Sequence, residues 1–215
     1  MAKIPNGLHG PVTGRVGNGV YYQNKFGTNI YRGIGLKTSS ADTELPNQQR
    51  TALVTKLLRP VSEFIKVGFH HVPAKKTFNY YTYATSVNKL GAIKGEYPNQ
   101  EIDYEKVLFS IGNIPLPKAP GVILDNSVLE FSWENDLETD GTSASDQIML
   151  VVYFPASTKA IFMFSGARRS EEKQIVKLPL FTKNMVIETY MSFISDDRKS
   201  ISNSVHISQL IWDKL

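Results

Sequence analysis

The pattern best suited to metal chemistry is the run Asp136-Leu137-Glu138-Thr139-Asp140-Gly141-Thr142-Ser143-Ala144-Ser145-Asp146. Acidic side chains at alternate positions before a glycine mimic the start of a calcium loop, where oxygen ligands converge around a turn. The twelfth position is Gln147, so the bidentate glutamate of such a loop is missing, and the flanking residues read as strands rather than helices. Calcium at Asp136, Glu138, Asp140 and Asp146 therefore stands beside a plainer alternative, a solvated connection between strands.

A second pattern lies near the start of the chain, where Arg15, Lys25, Arg32 and Lys37 interleave with Tyr21, Tyr22, Phe26 and Tyr31. Positive charge for phosphates and ring faces for stacking are what nucleic-acid binding requires. No sheet motif of an RNA-recognition or oligonucleotide-binding type accompanies them. The alternative is a set of rings that pack on helices or on a neighbouring subunit.

Other chemistry falls away. There is no cysteine, which excludes disulfides, thiolate catalysis, iron–sulfur clusters and cysteine-containing zinc sites. The histidines are His9, His70, His71 and His206; the adjacent pair would point in different directions and reads as helix-end capping rather than a metal site. No serine sits in a nucleophile elbow and there is no Walker loop. Gly14-Arg15-Val16-Gly17-Asn18-Gly19 has the glycine spacing of the dinucleotide fingerprint reversed and precedes a strand. No catalytic residue and no cofactor are expected.

These residues need elements to position them. At 41% hydrophobic and 20% charged, the chain has the composition of a folded protein. Val20–Tyr22 and Asn29–Tyr31 read as a hairpin around Gln23-Asn24-Lys25-Phe26-Gly27, preceded by an irregular arm. From 47 to 69, Leu53, Val54, Leu57, Leu58, Val61, Phe64 and Ile65 recur at helical spacing, with Pro60 set to kink or split the helix and Gly68 to end it. A second helix is expected over 75–89, and Gly95, Pro98 and Asn99 mark a linker. Beyond it, β-type runs fall at 107–114, 127–133, 147–154, 160–165, 173–178, 185–195 and 202–211, with Pro115, Pro117, Pro120, Pro155 and Pro179 between them.

Charge is uneven along the chain. Residues 1–76 carry 11 Lys+Arg against 3 Asp+Glu, while residues 77–215 carry 13 against 17. That asymmetry suits an acidic partner at the front end, whether nucleic acid, an anionic surface or another copy. The N-terminus lacks the apolar stretch of a signal peptide, and no window approaches the roughly 20 apolar residues of a membrane span. Synthesis in the cytoplasm is expected.

Two resemblances follow. The half from Ile102 resembles fibronectin type III modules: Trp133 closes the early strand Leu129-Glu130-Phe131-Ser132-Trp133, Leu178-Pro179 precedes a late strand carrying Tyr190, and Ser202-Asn203-Ser204 opens the last. The resemblance implies a tyrosine corner at Tyr190. Alternation instead groups Tyr190 with Ser192 and Ile194, opposite Ile187, Met191 and Phe193, so a plain core ring remains the alternative. The whole chain resembles a family of small Bacteroidota proteins with a domain-of-unknown-function label, through AKIPNG, GRVGNGVYY, IYRG, NQQRTALVTKLL, AIKGEYPNQEIDYEKVLFSIGNIP, FSW, MLVVYFP and SNSVHI. That resemblance implies architecture and no activity. The opening layout is also similar in style to small virion-associated proteins.

The expected fold is α+β: an N-terminal β-hairpin plus two helices in residues 1–101, then a seven-stranded immunoglobulin/fibronectin-like β-sandwich in 102–215. The expected function is a non-enzymatic structural or interaction protein that docks or self-assembles through its basic head, as in a phage-like or other multi-subunit particle. The alternatives are a nucleic-acid-binding module using that head, and a carbohydrate-binding or hydrolase module using Asp136 and Asp146 on the sandwich loops.

Overall fold

The computed structural model describes residues 2–4, 13–24, 26–35, 44–71, 79–134, 137–179 and 183–213. Its contacts divide the chain into two units, Met1–Ala41 and Asp42–Leu215. The smaller unit is one antiparallel sheet of β1 (Ala2–Ile4), β2 (Gly14–Val16), β3 (Gly19–Gln23) and β4 (Asn29–Gly33), in the order β1-β4-β3-β2. The hairpin β3–β4 lies where the β-formers and turn residues put it. Asn24 closes its turn by accepting the backbone N–H groups of Phe26 and Thr28 at 3.0 and 2.9 Å, and Gly27 takes φ +75°. The expected irregular arm is corrected: β1 and β2 join the hairpin as outer strands.

In the larger unit, α1 (Glu44–Leu58) and α2 (Ser62–Gly68) are separated by a 3-10 turn, Arg59–Val61. Pro60 sits inside that turn, where its missing N–H interrupts the α-helical ladder. A Cβ at Gly68 would overlap the Phe109 carbonyl, so glycine permits the close approach of the following segment. The third helix, α3 (Tyr80–Gly91), is capped by Asn79, whose side chain accepts the Thr82 N–H at 2.8 Å. It begins later than expected, and residues 72–78 lie outside the described residues.

Nine strands follow among the described residues. A small pair, β5 (Ile93–Lys94) and β6 (Glu101–Ile102), precedes β7 (Lys118–Asp125), β8 (Val128–Glu134), β9 (Gln147–Phe154), β10 (Lys159–Met163), β11 (Lys173–Lys177), β12 (Met185–Ile194) and β13 (Val205–Trp212). They form a three-stranded sheet, β11-β8-β7, and a four-stranded sheet, β10-β9-β12-β13. Alternate residues of β9 enter different cores. Ile148, Leu150, Val152 and Phe154 pack with Leu129, Phe131 and Trp133 of β8 and with Ile187, Met191, Phe193 and Trp212. Met149, Val151 and Tyr153 join Tyr190 and Ile194 in a cluster with Val54, Leu57, Leu58, Phe64 and Ile65 of the helices.

This second core moves the expected boundary. The helices belong with the strands because they cover one face of the four-stranded sheet, so the division falls after Ala41 and not after residue 101. Two strand assignments also change. The run 107–114 makes no ladder: Leu108 N–H goes to Asn88 Oδ1, Phe109 N–H to Ser204 Oγ and Gly112 N–H to Asn203 Oδ1, at 2.8, 2.8 and 3.0 Å. Pro120, expected between strands, lies within β7. That strand is at the sheet edge, with a register shift between Lys118 and Gly121 and Ala119 at φ +42°, which is where a strand tolerates proline.

Asn88 shows how the 107–114 segment is held. Its Nδ2 donates to the Ala84 and Leu108 carbonyls at 2.9 and 2.8 Å while Oδ1 accepts the Leu108 N–H. Asn88→Ala strands both backbone groups of Leu108 and gains only a few tenths of a kcal/mol in helix propensity. We expect a net loss of about 2–3 kcal/mol, read as a lower urea midpoint at unchanged m-value. A change below about 0.5 kcal/mol would show that the segment is held by something else.

Candidate functional site

Cross-strand register sorts the basic and aromatic residues of the N-terminal sheet, because directly paired residues project to the same side and successive residues alternate. Arg15 pairs with Val20, Val20 with Arg32, and Tyr22 with Ile30. Arg15, Val20, Tyr22, Ile30 and Arg32 therefore share one face, with the two arginines flanking Val20. The opposite face carries the pair Tyr21–Tyr31, whose rings are 4.6 Å apart and tilted by 38°, together with Gly14, Val16, Gly19 and Gly33. The Tyr31 ring occupies the space a Cβ on Gly19 would need, so it lies directly against that glycine.

The eight residues singled out in sequence are thus split. Arg15, Tyr22 and Arg32 act together on one face; Tyr21 and Tyr31 lie on the other; Phe26 is at the hairpin tip, 67% exposed. Lys25 and Lys37 lie outside the described residues. Met1–Ala41 contains five Lys and Arg and no Asp or Glu, so no carboxylate of that unit offsets the cationic face. None of the buried hydrophobic side chains belongs to the described part of this unit, whereas Val16, Val20, Tyr22, Phe26 and Ile34 are exposed.

The described acids of the loop do not converge. Glu138 and Asp140 face solvent, while Asp146 is buried and its Oδ2 accepts the Ser143 N–H at 3.0 Å. Asp136 lies outside the described residues. Among the described residues no three His, Asp or Glu side chains gather as a metal would need. What the sequence did not signal is a buried cation beside this loop. Arg169 donates its backbone N–H to the Asp146 carbonyl and Nη2 to the Pro115 carbonyl, with its guanidinium 4.2 Å from the centre of the Phe193 ring. His71 caps no helix; its Nε2 lies 2.9 Å from the Arg198 carbonyl.

A second polar group went unnoticed in sequence. Glu188, buried on β12, engages His206 Nε2 at 2.8 Å through Oε2 and accepts from Gln209 Nε2 at 2.6 Å through Oε1. Tyr153 stands opposite it on β9, and the Tyr190 hydroxyl donates to the Tyr104 carbonyl at 2.8 Å. Tyr190 is a core ring, set edge-on to Phe109 at 4.7 Å. Burial pushes the Tyr153 phenol up to about 12 and raises Tyr190 and Tyr104 as well, with the Glu188 charge adding to both of these. The one available signal was a charge inside the apolar run MVIETYMSFI. Both carboxylate oxygens are occupied, so the arrangement holds His206 in place.

A model for a family of unknown function (DUF6266) matches residues 11–208. No curated protein and no solved structure matches the chain. Among the described residues, no helix is long and apolar enough to cross a membrane.

The buried phenols set an alkaline limit. A phenol whose folded pKa is raised stabilises the fold fully below its unfolded pKa, about 10, and that contribution disappears as pH rises through the folded value. Stability should fall between about pH 10 and 12 as Tyr153 ionises first in the unfolded chain. Tyr153→Phe should flatten this fall in urea titrations across that range. An unchanged slope would assign the loss to other groups.

Proposed function

We propose a non-enzymatic docking role for this chain, which belongs to the family of unknown function DUF6266. The observation that carries the proposal is the contrast between its two units. Asp42–Leu215 holds two buried apolar clusters, whereas the N-terminal sheet of three- to five-residue strands buries no hydrophobic side chain among its described residues. A sheet of that kind is marginal alone and gains stability by placing an apolar face against another molecule. The face with Val16, Tyr21 and Tyr31 is the one we assign to contact with other subunits. Tyrosine rings offer large contact area at little cost in side-chain freedom.

In this reading β7 to β13 form a fibronectin type III-like sandwich. Seven strands in two antiparallel sheets with a shared core, and Trp133 buried on β8, support it. The sandwich then serves as a rigid body with the helices as its cover, and the N-terminal sheet is the part assigned to assembly. A phage-like or other self-assembled particle, entered after synthesis in the cytoplasm, is the setting we propose.

Light scattering on the full chain tests this. We expect an oligomer, and Val16→Asp should lower the mass to that of one chain at unchanged circular dichroism, since Val16 is 54% exposed. A wild-type chain that stays monomeric across the accessible concentration range would remove the docking role.

A further inference from the structure

We propose that the other face of the N-terminal sheet, built on Arg15, Val20, Tyr22 and Arg32, binds single-stranded nucleic acid. Arg15 on β2 and Arg32 on β4 are both paired with Val20 on β3, so they stand two strand spacings apart, about 10 Å. Both are exposed. Planar guanidinium groups match phosphate oxygens in a bidentate way, and two of them across an apolar saddle can follow one backbone. Tyr22, 40% exposed, projects from the same face two residues beyond Val20 and offers a ring on which a base can stack.

Charge complementarity selects the occupant. Met1–Ala41 has five cations and no carboxylate, so the field over this face is uncompensated within the unit, as a polyanion requires. A single strand fits better than a duplex. The unit has no helix among its described residues to enter a major groove, and stacking on Tyr22 requires a base free of its own stack. The inference goes beyond the docking role and uses the opposite face from Val16 and Tyr31, so either can fail without the other.

The test is fluorescence anisotropy of a labelled oligothymidylate of about 20 nucleotides with the full chain, over roughly 20–300 mM NaCl. We expect binding that weakens steeply with salt. Arg15→Glu with Arg32→Glu should raise Kd at least about tenfold and Tyr22→Ala at least about fivefold, while Arg15→Lys with Arg32→Lys, which keeps the charge and loses the bidentate fork, should give a loss smaller than the Glu pair. Arg15→Gln with Arg32→Gln should make the log–log salt slope shallower by about 1.4, two phosphate contacts at roughly 0.7 each. Lys66→Glu with Lys177→Glu makes the same charge change at exposed positions of the larger unit and should leave Kd within about twofold.

No binding at the lowest salt overturns the proposal. Equal loss in the Lys66/Lys177 variant overturns it too, because the effect is then one of net charge alone. Tighter binding to a duplex of the same length assigns the face to double-stranded nucleic acid and overturns the single-strand assignment. Light scattering on the same samples keeps the two readings apart: a monomer that binds retains this inference and loses the docking role, and an oligomer that does not bind does the reverse.

Discussion

A strand with water on neither side has to satisfy two cores at once, and β9 does this residue by residue. Its seven positions from Ile148 to Phe154 are all buried, the even ones against the three-stranded sheet and the odd ones against the helices. Neither cover is optional: removing one would expose half of the apolar side chains of β9 and β12, each worth about 1.5–3 kcal/mol when buried. Polar groups on these strands must then be answered from within the fold. Thr189 donates its hydroxyl to the Ser208 carbonyl at 2.8 Å, and Glu188 is held between His206 and Gln209.

The segment between helices and sandwich depends on the same constraint. It runs between α3 and the β12–β13 connection and takes its hydrogen bonds from both sides. Asn88 serves Leu108, Ser110 donates to the Ser202 carbonyl at 2.9 Å, and Ser204 accepts from Phe109. The motifs LFSIGNIP and SNSVHI, about 90 residues apart in the chain, are therefore one contact in space. Two of the marks that suggested kinship with a family are explained here as packing and hydrogen bonding rather than chemistry.

Local signals were legible and layered ones were not. The hairpin at β3–β4, the split at Pro60 and β8 through β12 follow from turn residues, proline chemistry and period-two patterning. β7 was obscured by Pro120, because only the edge position and register shift make proline acceptable there. The 107–114 run has β composition, yet Leu108, Phe109 and Gly112 give their N–H groups to side chains from elsewhere, and Ile111 and Ile114 to the Gly68 and Ile201 carbonyls, which no local pattern reveals. The unbroken apolar run IMLVVYF did carry the missing information: a strand without alternation is covered on both faces, so helices had to lie over it. At the candidate site, composition marked the basic and aromatic residues, but adjacent Tyr21 and Tyr22 separate only once the register is known.

The order of the two covers along the chain has a consequence for synthesis. The apolar faces of α1 and α2 are complete at Gly68, but their partner strand β9 does not begin until Gln147 and β12 not until Met185. α3 can pack on them once it has emerged, but at a translation rate of about 5–20 residues per second they wait several seconds or more for the sheet that covers them. The nascent chain is thus most prone to aggregate from the emergence of α2 until β9 and β12 have followed. A holdase that recognises amphipathic helices would act in that interval, before the sheet exists to displace it.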